Sequence, residues 1–129
     1  MTTIRKEDFI SSIADAFQYI SYYHPEDYIR ALGKAYEREA NPAAKDAIAQ
    51  ILINSRMCAE GHRPICQDTG IVNVFVEVGM DVKFDLTMSL DDAINEGVRQ
   101  GYLENSNVLR ASVLADPAFG RKNTKDNTP

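Results

Sequence analysis

Apolar residues in this chain change their repeat once, and that change limits the folds open to it. Up to residue 61 they recur every three or four positions, and from residue 71 to 86 they recur every second position. Phe9, Ile13, Phe17 and Ile20, with Asp8, Ser11, Asp15 and Gln18 between them, predict an amphipathic helix from about Lys6 to Tyr22. Pro25 restarts the chain, and Tyr28 or Ile29, Leu32 and Ala35 or Tyr36 continue a helical repeat to about Ala40, with Gly33 a weak point. A third helix begins at Asn41-Pro42, because Asn caps free amides and Pro loses nothing in a first turn. Ile48, Ile51 and Leu52 give it an apolar face, and Gly61 is suited to end it in a left-handed conformation.

Beyond the switch, Val72, Val74, Val76 and Val78 alternate with Ile71, Asn73, Phe75 and Glu77, as in a strand. Gly79-Met80-Asp81 is placed to turn it, and Val82, Phe84 and Leu86 suit an antiparallel partner. Ser89 followed by Asp92 resembles a capped helix start running to about Gln100, and a short strand is expected over Val108 to Leu114. From Ala115 onward the chain reads as polar loop. The expected fold class is α+β: a three-helix N-terminal region, then a small, mostly antiparallel sheet with one further helix. Residues 1–129 form one domain, which on this reading is incomplete at its C-terminal end.

A length of 129 residues with 44% apolar content is enough for a buried core. The net charge of -5 and pI near 5.0 argue against a nucleic-acid surface, which needs clustered Lys and Arg. No apolar run approaches the roughly 20 residues of a membrane span, and residues 1–6 lead into a charged segment without a signal-peptide core, so a cytoplasmic location is expected. The two cysteines, Cys58 and Cys66, make no disulfide framework. Cys58 lies within the expected third helix at no zinc spacing and reads as a packing residue.

Arg63-Pro64-Ile65-Cys66-Gln67-Asp68-Thr69-Gly70 has a different character: a thiol, an amide, a carboxylate and a hydroxyl stand side by side in a loop bounded by proline and glycine. Taken alone, Cys66 is equally a small buried hydrophobe, and a lesser alternative has Asp68 and Thr69 closing local turns on their own backbone. Asp68-Thr69-Gly70 also matches the tripeptide of dimeric aspartic proteases, but in them it follows a strand of an all-β fold, whereas here it follows three helices.

The longer string, with Ala59-Glu60-Gly61-His62-Arg63 before it, resembles the signature of the iron–sulfur hydro-lyases, namely class I fumarate hydratases and the alpha subunit of L-tartrate dehydratase. Asn107-Val108-Leu109-Arg110-Ala111-Ser112 resembles that family's Asn-Leu-Arg-x-Ser element, and Lys122-Asn123-Thr124-Lys125-Asp126-Asn127-Thr128-Pro129 its Asn-Thr-Gly-x-Asn-x-Pro element. The resemblance implies reversible hydration of fumarate to L-malate at a [4Fe-4S] cluster held by three thiolates, with the fourth iron open as a Lewis acid. Cys66 would be one metal ligand, Gln67 and Asp68 would contact the dicarboxylate with Asp68 the catalytic proton carrier, and Arg110 would bind a substrate carboxylate. Without the resemblance, Arg110 reads as a solvated strand residue.

Lysine occupies position 125, where the family usually has glycine, and the second and third cluster cysteines are missing from this sequence. The chain by itself is therefore expected to be inactive, with a homodimer expected of the full-length protein. L-tartrate dehydration, or a non-catalytic role binding a dicarboxylate or a partner, are the alternatives.

Overall fold

The computed structural model describes residues 2–65, 71–103, 109–120 and 122–128. In chain order the elements are β1 (Thr2–Arg5), α1 (Lys6–Tyr22), α2 (Glu26–Arg38), α3 (Pro42–Gly61), β2 (Val82–Asp85) and α4 (Leu90–Leu103). Two compact units emerge, one of residues 1–18 and 68–129, the other of residues 19–67.

In the first unit β1 and β2 pair in parallel, with Thr2 opposite Val82 and Arg5 opposite Asp85. This corrects the expected mostly antiparallel sheet while leaving the α+β class intact. The turn before β2 forms, with the Val82 amide donating to the Gly79 carbonyl at 3.1 Å. The preceding residues 71–78 nevertheless form no strand. Instead Val72 and Val74 help line a cavity with Ile94 and Val98 of α4. The alternation is thus present in the side chains while no ladder is formed with any described residue. The Thr2-Thr3-Ile4 run, too short to stand out in the sequence, takes the place beside β2.

The core of this unit lies between α1 and α4, where Ile10, Ala14, Ala93 and Val98 are buried. The helices approach closely because α4 presents glycine. A β-carbon added at Gly97 would stand 2.7 Å from the Ile13 side chain and 2.9 Å from the Ile10 carbonyl oxygen, so Gly97 is required by contact and not by backbone freedom. Phe9 meets Phe84 edge-on at 5.4 Å, joining α1 to the sheet. The start of α4 is capped as expected: Ser89 Oγ accepts from the Asp92 amide at 3.0 Å and donates to the Asp92 carboxylate at 2.7 Å.

In the second unit α2 and α3 form a helical pair. Asn41 Oδ1 accepts from the amides of Ala43 and Ala44 at 3.0 and 3.3 Å, with Pro42 in the first turn. Lys45 lies over the Tyr36 ring at 4.8 Å, and His24 Nδ1 and Ser55 Oγ share a hydrogen bond at 2.9 Å. Among the described residues no helix is long and apolar enough to cross a membrane.

Candidate functional site

The end of α3 leads directly to the loop singled out in the sequence. Gly61 is still helical and His62 takes the left-handed turn, with φ 47°, one position later than expected. Histidine tolerates this region better than most residues, and packing helps to hold it there. Its ring stacks on Tyr22 at 5.6 Å and its Nε2 shares a 2.9 Å hydrogen bond with the Tyr23 hydroxyl. Burial raises the Tyr22 phenol above its ordinary pKa, which keeps it neutral at physiological pH.

Cys58 is buried, and its thiol lies 3.5 Å from the Pro64 carbonyl and 3.7 Å from Asn54 Oδ1, the packing role expected for it. The Ile65 amide donates to the Ser21 carbonyl at 2.9 Å. The chain is thus tied down at residues 62, 64 and 65, immediately before Cys66. Cys66, Gln67 and Asp68 themselves lie outside the described residues.

Arg110 falls within the described part, in an exposed position on a loop that folds onto the segment after it. The short strand expected over Val108 to Leu114 is reduced to one antiparallel bridge between Leu114 and Asn123, flanked by backbone bonds from Ala115 to Lys122 at 2.8 Å and from Thr124 to Val113 at 2.9 Å. Side chains do the rest. Asn127 is buried, and its Oδ1 accepts from the amides of Ser112 and Val113 at 2.8 and 3.0 Å. Asn123 Nδ2 donates to the Ala111 carbonyl at 2.9 Å, and its Oδ1 accepts from the Lys125 amide at 2.6 Å. The backbone just after Arg110 is therefore fixed by two asparagines more than ten residues away.

Lys125 has φ 71°, so the position where glycine was expected does adopt the left-handed backbone that glycine favours. Lysine holds this conformation at a cost of about 1–2 kcal/mol. Asn127, with φ 64°, is better suited to it. Its Nδ2 is buried without a well-formed hydrogen bond, beside the Tyr102 hydroxyl; burial raises the Tyr102 phenol, and the neighbouring amide partly offsets the shift.

The asparagine clamp was missed in the sequence reading. Its signal was there in the cluster Asn123, Asp126 and Asn127, side chains of a type that caps loop amides.

The donor set does not suffice for a three-thiolate cluster. The chain has two cysteines, and Cys58 is buried in packing. No group of three or more His, Cys, Asp or Glu able to hold a metal occurs among the described residues. Of the two cysteines, Cys58 is taken up in packing and Cys66 lies outside the described residues.

A family model described as fumarate hydratase (Fumerase) matches residues 10–129. The chain is 32% identical over 115 residues to a putative L(+)-tartrate dehydratase subunit alpha of Methanocaldococcus jannaschii, covering 89% of this chain and 39% of that protein. It is 33% identical over 86 residues to a putative fumarate hydratase class I of Geobacillus stearothermophilus, covering 65% and 17%. It is 26% identical over 117 residues to the L(+)-tartrate dehydratase subunit alpha of Escherichia coli (strain K12), covering 91% and 38%. The chain spans about two-fifths of the length of those alpha subunits. Both loops, the one tied down before Cys66 and the one clamped after Arg110, fall inside the family match, and the chain belongs to the fumarate hydratase family.

Proposed function

We propose that this chain supplies part of a hydro-lyase site that adds water across the double bond of fumarate to give L-malate, and reverses that reaction. One observation supports the reading above others. The two family elements at residues 107–112 and 122–129 are joined by the Asn123 and Asn127 clamp, which holds the backbone beside Arg110. A guanidinium on a fixed backbone suits a carboxylate, because its planar donors pair with both oxygens in one geometry.

In this reading Arg110 binds one carboxylate and orients the C4 diacid, and Gln67 donates to or accepts from its polar groups. Asp68 carries the proton at the hydroxyl oxygen: in dehydration it protonates the departing hydroxyl so that water leaves, and in hydration it takes that proton back, while the proton on the adjacent carbon is moved by a base that none of these residues supplies. Cys66 contributes one thiolate to a [4Fe-4S] group. This chain's two cysteines do not complete such a group, so no step is assigned to it. A homodimer of the complete protein, located in the cytoplasm, belongs to the same proposal. L-tartrate is the second reading, favoured by the alpha-subunit relatives, which match about nine-tenths of this chain.

The test is anaerobic reconstitution with iron and sulfide, with this chain alone and together with a polypeptide made as the unmatched part of the M. jannaschii protein. Visible cluster absorbance and consumption of fumarate and of L-tartrate are followed. The chain alone is expected to be silent, and the pair active until Cys66→Ala abolishes both signals. Arg110→Lys should lower kcat/KM by roughly 10–100-fold, the loss expected for a hydrogen bond between charged groups. A pair whose turnover is indifferent to Cys66→Ala refutes the reading, and a preference for L-tartrate transfers it to the second substrate.

A further inference from the structure

We propose that residues 71–78 are the acceptor for a β-strand contributed by the part of the family's subunit that lies outside the match with this chain. The inference rests on family membership and is independent of the cluster and of the substrate.

The segment has the side-chain habit of a strand without a partner. Ile71 and Phe75 are 81% and 96% exposed, whereas Val74, Val76 and Val78 stay near 41–44%, so exposure alternates with a period of two along an extended run. No backbone–backbone hydrogen bond joins residues 71–78 to any other described residue. The usual protections of a free edge are also missing, since the run holds no proline and no lysine and its one charge is Glu77. Such an edge is a template for strand addition, in which main-chain bonds give affinity and alternate side chains give specificity.

The face behind the segment is unfinished as well. Val72 and Val74 line a cavity of about 540 Å³ together with Ile94, Val98 and Asn127, whose Nδ2 is buried without a well-formed hydrogen bond. A strand laid beside residues 71–78 would send alternate side chains over this hollow. The occupant is argued from length: more than half of the M. jannaschii relative lies outside its match with this chain, ample to supply a strand for the surface the matched part leaves open. The strand expected is apolar at alternate positions and adds to residues 71–78 edge to edge.

Residue-resolved amide exchange tests this, on the chain alone and with the polypeptide made as the unmatched part of the M. jannaschii protein. On binding, alternate amides between 72 and 78 should slow by at least about 100-fold, and the amides between them by much less, because only one set points to the added strand. Phe75→Lys, at a position already open to solvent, should leave the free chain folded by circular dichroism and weaken binding by at least about 10-fold. Absence of protection, or equal slowing of every amide in the segment, overturns the proposal. So does protection in the chain alone that grows with its concentration, which would assign the edge to a second copy. None of these outcomes depends on cluster assembly or turnover.

Discussion

Helix α3 and residues 71–78 are patterned about equally strongly in the sequence, yet one is a finished element and the other is not. α3 closes within itself: Asn41 takes up the first free amides, His62 turns the last residues out of the helix, and each bond between joins residues four apart. Residues 71–78 have only the alternation of their side chains. A strand's backbone groups are satisfied by another strand, and here Val72 and Val74 line a hollow beside α4 while the backbone makes no backbone–backbone hydrogen bond with any other described residue. The loop from 109 to 128 falls between these cases. Its backbone forms few bonds of its own, and asparagine side chains supply the remainder.

If helices are self-sufficient and loops depend on single side chains, removing a clamp must cost more than removing a cap. Asn127→Ala leaves the Ser112 and Val113 amides without their acceptor and should lower stability by about 2–3 kcal/mol, read by urea unfolding. Asn127→Asp, which keeps an acceptor, should recover most of that loss. Asn41→Ala removes the α3 cap and should lower stability by about 1 kcal/mol, because neighbouring turns still hold the helix. A larger effect at Asn41 than at Asn127 would break the comparison.

Lys125→Gly sharpens it in the opposite sense. It relieves a left-handed lysine and should raise stability by about 1 kcal/mol, less whatever entropy glycine adds to the unfolded chain. No gain would mean that the lysine side chain earns its place through contacts made elsewhere.

The smallest effect is electrostatic and centred on α4. The hydrogen bonds of Arg99 and Gln100 lower the Glu96 carboxyl from its ordinary 4.5 to about 2. A lowered folded-state pKa stabilises the protein above pH 4.5, and that contribution fades as pH falls from 4.5 through about 2. Glu96→Gln should lower stability above pH 4.5, where the ion pair is lost, and converge with the parent as pH falls towards about 2, so the profile flattens in that window, which thermal unfolding at several pH values would show.

Much of the helical architecture was legible before any coordinates. The expected first helix, Lys6 to Tyr22, has the observed bounds, the Asn41 and Ser89 caps are in place, and Cys58 is packed as its position suggested. These features depend on residues three or four apart, so a window of sequence contains the whole cause. The hairpin expected between residues 72–78 and 82–86 was a reasonable reading of an alternation that does not name its partner. The parallel pairing of β1 with β2 joins residues about 80 positions apart, with α1, α2 and α3 between them in the chain.

The chemistry divides along the same line. Residue types drew attention to the loop holding Cys66, Gln67 and Asp68, whereas Arg110 was singled out only by its resemblance to a family element. Tertiary structure decided how the chain is held around them: His62 in place of Gly61 at the end of α3, a left-handed Lys125, and Asn127 reaching back to Ser112 and Val113. Local geometry follows from neighbouring residues, whereas these placements follow from contacts between distant ones, and only the folded chain brings those together.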